Sequence, residues 1–148
     1  MGLSWKEYFR TLAETVSKKS KDRNAKIGAV IVGPDNEVVS TGYNSFPRNL
    51  NDDVEVRYTR PEKYYWTEHA ERNAIYNAAR VGVPTKNCSM YLSHWFPCAD
   101  CARAIINSGI TKLYCDKLEL DVPSKFNESF KRSSEMLLES GVEIIHYD

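Results

Sequence analysis

The sequence has no excess of charge of either sign. Its 20 lysines and arginines balance 20 aspartates and glutamates, so the formal net charge is zero and the isoelectric point is near 6.8. Proteins that follow a polyphosphate backbone usually carry a strong positive excess. The balance argues against a nucleic acid as partner and favours a small nucleotide or another small ligand.

Long apolar runs and leader-like segments are also missing. No stretch of about 18 apolar residues occurs, and the first residues lack a basic start followed by an apolar core. We therefore expect a soluble, cytoplasmic protein with no membrane partner. Its 148 residues suffice for one hydrophobic core but not for two ordinary domains, so we expect a single domain over residues 1–148.

Cysteine is absent from the first half of the chain. The second half contains Cys88, Cys98, Cys101 and Cys115. In a cytosolic protein, a C-x-x-C pair is typical of metal binding or redox chemistry and not of a structural disulfide. Taken alone, Cys98 and Cys101 leave both of these interpretations open.

The apolar pattern predicts alternating helices and strands. Ser4 and Glu7 form a capping box that opens a first helix ending near Ser20. Residues 27–32 and 37–43 read as a hairpin, whereas residues 44–65 have no clear periodicity, which is typical of functional loops. Further helices are predicted from a Thr67 cap to about residue 79, from Pro97 to residue 108 and over 124–140, and further strands over 89–93, 110–115 and 142–147.

This order of elements predicts an α/β fold. The later strands alternate with helices and should run largely parallel, while the opening hairpin is antiparallel. We therefore predict a three-layer α/β/α sandwich around a mixed five-stranded sheet.

Three side chains have the types and spacing of a catalytic zinc site. His69 lies at one predicted helix start, and Cys98 and Cys101 lie at another. The unpaired N–H groups at such ends favour thiolates. Three ligands leave one of four tetrahedral positions open, which is the catalytic pattern.

A closed structural zinc site would need a fourth ligand. Cys88, Cys115 and His94 are the nearby candidates, and the two cysteines are better explained as small core residues at strand ends. Glu71, two residues after His69, need not be a ligand and is suited to general acid/base catalysis. Zinc would lower the pKa of water towards ~7 and so provide a nucleophile at neutral pH.

The H-x-E…P-C-x-x-C pattern of these residues is the signature of zinc-dependent nucleobase deaminases. Residues 27–32, 41–44, 68–75 and 101–106 resemble segments of the deoxycytidylate (dCMP) deaminase family over nearly the whole chain. The resemblance implies a cytidine deaminase-like fold and hydrolysis of dCMP to dUMP and ammonia, which feeds dTMP synthesis. It also implies Zn²⁺ bound by His69, Cys98 and Cys101, with Glu71 as the proton shuttle. Because the first half of the chain has no cysteine that could hold a second zinc, we predict one Zn²⁺ per chain.

The resemblance further implies that Asn44 binds the nucleotide sugar and that the backbone N–H of Ala70 holds the base. Position alone leaves Asn44 equally well explained as a turn residue at a strand end. Tyr65 and Trp66 stack on the base or pack in the core. Lys26, Arg23 and Arg48 are candidate phosphate ligands or solvated surface charges.

Two departures from the family pattern concern regulation and the pocket. Ser45 replaces a usual glycine, and with Gly42, Tyr43 and Arg48 it occupies the region where dCTP and dTTP effectors, with Mg²⁺, are implied to bind a hexamer. The segment with His94 and Trp95 is one residue longer than usual, which predicts a bulge beside the metal and makes His94 a candidate substrate contact.

Two other functions remain open. A polynucleotide deaminase acting on tRNA or single-stranded DNA would share the zinc site but needs a basic groove, against which the zero net charge argues. An inactive, zinc-stapled nucleotide-binding subunit would have no use for the intact Glu71.

Overall fold

The computed structural model describes residues 1–147. It contains one five-stranded sheet with helices on both faces. The strands are β1 (Gly28–Val32), β2 (Val38–Tyr43), β3 (Ser89–Leu92), β4 (Lys112–Cys115) and β5 (Glu143–His146). The helices are α1 (Trp5–Ser17), the single turn α2 (Lys63–Trp66), α3 (Ala70–Val81), α4 (Ala99–Asn107) and α5 (Asn127–Glu139), and Glu55–Tyr58 forms a 3₁₀ turn.

The sheet is mixed, with strand order β2-β1-β3-β4-β5. Strand β1 is antiparallel to both β2 and β3, whereas β3, β4 and β5 are mutually parallel. This confirms the predicted antiparallel hairpin followed by parallel strands, which the α/β crossovers impose.

The side chains of β1 alternate between two apolar clusters, as the period of a strand requires. Val30 and Val32 pack with Phe9 and Ala13 of α1. On the other side, Ala29 and Ile31 belong to a larger cluster to which α3, α4 and α5 contribute. Because all five residues of β1 are buried, the predicted three-layer arrangement is confirmed.

Close packing between β2 and α3 fixes where the latter helix lies. A Cβ atom on Gly42 would stand 2.3 Å from the backbone nitrogen of Ala74, so only glycine permits this approach. Three alanines of α3, Ala70, Ala74 and Ala78, are fully buried. The start of α3 is therefore held tightly against the sheet.

Several predicted helix ends were wrong. Helix α1 begins as predicted, with the Glu7 N–H donating to Ser4 Oγ at 3.2 Å, but it ends at Ser17 because residues 18–20 form tighter turns. Thr67 does not cap α3; its N–H bonds Lys63 O and closes α2. His69 occupies the cap of α3 instead.

The region around Pro97 also differs from the prediction. Helix α4 begins at Ala99 with Cys98 as its cap, so Pro97 precedes the helix, and the last helix begins at Asn127 and not at residue 124. The predicted bulge is a bend after β3 has ended at Leu92, with Trp95 in the left-handed region at φ 70°.

None of the helices within residues 1–147 combines the length and the apolar character needed to cross a bilayer.

Candidate zinc active site

The first residues of helices α3 and α4 lie close together at the carboxyl ends of the parallel strands. His69 is the cap residue of α3, Cys98 is the cap residue of α4, and Cys101 lies in the first turn of α4. Helix α4 follows the carboxyl end of β3, whereas α3 precedes β3 and runs antiparallel to it, so that its last residues lead to the amino end of that strand. Both helices therefore begin at the carboxyl edge of the parallel strands, where α/β sheets commonly bind ligands.

The three predicted ligand atoms form a compact triangle. His69 Nδ1 lies 3.4 Å from Cys98 Sγ and 3.3 Å from Cys101 Sγ, and all three atoms are within 4.8 Å of one another. Ligands around one tetrahedral Zn²⁺, with bonds of about 2.0–2.3 Å, are separated by roughly 3.5 Å. The donor set and its spacing therefore fit zinc.

The group has three members within residues 1–147, so these residues would leave one position of a tetrahedral metal without a protein ligand. Cys88 and Cys115 are buried in the core cluster, where burial raises the pKa of each thiol. His94 also lies outside the ligand group.

The polar contacts among the ligands favour a thiolate. The hydrogen bond from Cys101, followed by that from His69, lowers the pKa of Cys98 to about 4. The pKa of Cys101 is raised by its hydrogen bond with Cys98 and by burial. The hydrogen bond between His69 and Cys98 also raises the pKa of His69. A metal cation would replace the shared protons and stabilise both thiolates.

Glu71 is a buried acid beside these ligands. It lies in the first turn of α3, is only 6% exposed, and lines the same cavity as His69 and Cys98. Burial raises the pKa of its carboxyl group, and the nearby His69 only partly opposes this effect. An acid with a pKa shifted towards neutrality can both accept and return a proton.

The cavity beside the candidate ligands has a volume of about 420 Å³, in the range of small-molecule sites. Of the predicted substrate contacts, Asn44, Ala70 and His94 line it. The Asn44 amide donates to Ala25 O at 2.8 Å and accepts from the Ile27 N–H at 2.9 Å. The side chain of Asn44 thus links the end of β2 to the segment before β1 and also lines the cavity.

Other predicted contacts lie outside the lining of this cavity. Tyr65 is 83% exposed. Trp66 donates to Glu62 and packs under the Arg57 guanidinium at 3.8 Å. Lys26 does not belong to the lining either, and Arg23 is paired with Glu55.

The structure brings two cations to the cavity that the sequence analysis missed. Arg60 and Lys63 come from the segment just before α3 and line the cavity with Tyr64. Lys63 Nζ lies 2.9 Å from Asp22 Oδ2, and both side chains are largely buried. The cluster of basic and aromatic residues before His69 was the available signal.

A second cavity of about 660 Å³ shares Asn44 with the first as a lining residue. It is lined by Tyr43, Ser45 and Arg48, three of the residues predicted to bind an effector. Gly42 lies instead beneath α3, where it is buried. Further cations line this cavity, namely Lys19, Lys21 and Arg80.

Comparison with known proteins identifies close sequence relatives. Residues 3–117 match the family model for the cytidine and deoxycytidylate deaminase zinc-binding region. An uncharacterised deaminase from Aliivibrio fischeri is 38% identical over 140 residues, covering 95% of this chain and 91% of the relative. Human deoxycytidylate deaminase is 37% identical over 141 residues, covering 92% of this chain and 74% of the human protein.

The fold is also similar to that of a solved structure. A dCMP deaminase from the cyanophage S-TIM5, in complex with dCMP and dUMP, matches with a TM-score of 0.78 at 24% identity and covers 99% of both chains. The matched family region includes His69, Glu71, Cys98 and Cys101. The chain therefore belongs to the cytidine and deoxycytidylate deaminase family.

Proposed function

We propose that the protein hydrolyses dCMP to dUMP and ammonia. The observation that carries this proposal is the group of His69, Cys98 and Cys101 with the buried Glu71 beside it. His69, Cys98 and Glu71 line a cavity that Arg60 and Lys63 also line. The relatives named deoxycytidylate deaminase support the same substrate.

His69, Cys98 and Cys101 would hold the zinc ion, which when bound supplies Lewis-acid activation of water. Glu71 accepts a proton from that water and delivers it to N3 of the cytosine ring. Attack of the water oxygen at C4 forms the new C–O bond. Glu71 then accepts the proton of the new hydroxyl group on C4 and delivers it to the amino group. The C4–N bond breaks, the C4 carbonyl forms and ammonia leaves, so that dCMP plus water gives dUMP plus ammonia.

The cations of the cavity favour a nucleotide over a nucleoside. Lys63 is largely neutralised by Asp22, whereas Arg60 is exposed and forms no ion pair within residues 1–147. A guanidinium matches the geometry and charge of a phosphate group. We therefore propose that Arg60 binds the 5′-phosphate, while Asn44 and the Ala70 N–H bind the sugar and the base.

Turnover of dCMP, CMP, deoxycytidine and dCTP by the purified protein tests the substrate. We expect the highest kcat/KM for dCMP.

Arg60→Ala should lower kcat/KM for dCMP by about 10-fold or more, the effect of one charge-assisted hydrogen bond, and leave kcat/KM for deoxycytidine unaffected. Arg132→Ala, on the exposed surface of α5, is the matched control. A wild-type protein that prefers deoxycytidine would contradict the proposal.

We also propose that the chain is one deaminase domain that binds one zinc and assembles as a hexamer. The second cavity, with Arg48, Lys19 and Lys21, has the cations that a nucleoside triphosphate with Mg²⁺ requires. dCTP and dTTP are the proposed effectors. Sedimentation with and without dCTP, and dCMP saturation curves with each effector, test the assembly and the regulation.

A further inference from the structure

The bend between β3 and Pro97 is held in one conformation. The Trp95 N–H donates to Asp116 Oδ2 at 2.8 Å, and the Asp116 N–H donates to Trp95 O at 3.1 Å. This reciprocal pair fixes Trp95 although its φ of 70° is unfavourable for a bulky residue. His94, one residue earlier, is therefore presented to the cavity by a fixed backbone.

Hydrogen bonding at Ser93 determines which ring nitrogen of His94 carries the proton. Ser93 Oγ accepts from the Gly28 N–H at 3.0 Å and lies 3.0 Å from His94 Nδ1. Ser93 is only 2% exposed, and within residues 1–147 its hydroxyl has no other acceptor. A buried hydroxyl proton is normally donated, so Ser93 donates to Nδ1 and the ring proton resides on Nε2.

The environment of His94 favours a neutral ring. Burial is the largest effect and lowers the pKa of His94; Arg10 acts in the same direction, and Asp116 and Glu14 oppose it. The Trp95 ring meets the imidazole edge-on at 5.6 Å. Since the edge of the ring with Nδ1 faces Ser93 and the side chain lines the cavity, the Nε2–H group is available there.

We propose that His94 is a specificity-determining residue that donates its Nε2–H to an oxygen acceptor of the bound pyrimidine nucleotide. The proposal rests on the proposed function of this cavity. A fixed donor suits the carbonyl, sugar and phosphate oxygens of a cytosine nucleotide and rejects a donor group at the same place.

Nitrogen NMR of histidine-labelled protein tests the tautomer independently of catalysis. The chain has three histidines, and the spectrum of a His94→Gln variant assigns the His94 signals by their loss. We expect a protonated Nε2 and an unprotonated Nδ1, with the Nε2 signal shifting when dUMP is added. A protonated Nδ1, or no shift at saturating dUMP, would overturn the proposal.

Kinetics of two variants test the donor itself. His94→Phe keeps a flat ring without the donor, and His94→Gln places an amide N–H near the position of Nε2. We expect His94→Phe to lower kcat/KM for dCMP by about 10-fold or more, and His94→Gln to recover most of this loss, with equal zinc content in both. Equal kinetics of His94→Phe and wild type would overturn the role of His94 alone, whereas a wild-type protein inactive on dCMP would overturn the proposed function.

Discussion

Glu71 combines two properties that are unusual for a carboxylate, since it is buried and it lies beside the zinc ligands without belonging to them. Its position in the first turn of α3 follows from the cap at His69. Sequence spacing alone suggested the proton shuttle, and the structure adds the physical cause, because burial raises the pKa of the carboxyl group.

Replacing Glu71 by glutamine keeps the size of the side chain and removes the titratable proton. We expect Glu71→Gln to bind zinc as the wild type does and to lose turnover of dCMP by about 10²–10⁴-fold, the contribution of general acid/base catalysis. The rate of dUMP formation and the zinc content by elemental analysis are measured on the same preparation. Glu139→Gln, exposed at the end of α5, is the control, and wild-type turnover by Glu71→Gln would refute the assignment.

Trp95 adopts a backbone conformation that favours glycine and asparagine. Trp95→Asn and Trp95→Ala both remove the half-exposed ring, but asparagine tolerates a φ of 70° better than alanine does. We expect the asparagine variant to be more stable than the alanine variant by about 1 kcal/mol in its free energy of unfolding. Urea denaturation measures this difference, and an alanine variant of equal or greater stability would show that the turn is unstrained.

At the scale of elements, the long connection between β2 and α3 forms one wall of the active site and is fastened at several points. The N–H groups of Ser45 and Glu68 each donate to the other's carbonyl, at 3.1 and 2.8 Å. Phe46 stacks on Tyr58, and Lys63 of α2 pairs with Asp22 before β1. These contacts hold Arg60 and Lys63 at the cavity.

The pair between Asp22 and Lys63 makes this fastening dependent on pH. Burial alone would raise the pKa of Asp22, but hydrogen bonds from the Ala25 and Asn24 N–H groups and from Lys63 outweigh it and hold the pKa below its usual value near 4. The folded state therefore favours the carboxylate. Its contribution to stability is present above about pH 4 and is lost as the pH falls through the lowered pKa.

We therefore expect Asp22→Asn to be less stable than the wild type near pH 7, with a difference that shrinks steadily below about pH 4. Urea denaturation at a series of pH values measures this convergence. Asp35→Asn, in the exposed turn between β1 and β2, should show no comparable trend. A stability difference for Asp22→Asn that persists unchanged to pH 3 would exclude the ionic contribution.

The parts of the fold that were predictable are those with local signals. The apolar run of residues 27–32 predicted β1, the cap at Ser4 predicted the start of α1, and Gly141 predicted the end of α5. The single turn α2 was missed because its four residues, Lys63–Trp66, are too few to show a helical period. For the same reason the cap of α3 was assigned to Thr67 and not to His69.

The group of His69, Cys98 and Cys101 was predictable because these residue types occur in a known sequence pattern at predicted helix starts. Most residues of the cavity wall belong to no such pattern. Arg60 and Lys63 reach the cavity through tertiary packing of the segment before α3, and Phe126 and Phe130 reach it from the cap position and the first turn of α5. The cluster of basic and aromatic residues before His69 is a local signal for Arg60 and Lys63, whereas no local pattern indicates that the two phenylalanines reach the cavity. Tyr65 was a candidate on sequence and lies on the exposed surface.

At the scale of the whole molecule, zinc would link two helices that are distant in sequence. Its ligands come from the starts of α3 and α4, and these helices pack on the same core cluster as β1, β3 and β4. Zinc would neutralise the negative charge of the two thiolates, which in its absence lie close together beside the imidazole. Metal binding should therefore contribute to stability as well as to catalysis.

Removal of zinc with a chelator is expected to lower the Tm and abolish turnover together, and stoichiometric Zn²⁺ should restore both. A ligand at 100 times its Kd stabilises the folded state by about 2.7 kcal/mol, which for a chain of this size shifts Tm by roughly 5–11 °C. Calorimetry of the metal-free and reloaded protein measures the shift, with Cys88→Ala as the control for a cysteine outside the ligand group. Elemental analysis that finds two zinc ions per chain, or a Tm unaffected by complete removal of the metal, would contradict a single site formed by His69, Cys98 and Cys101.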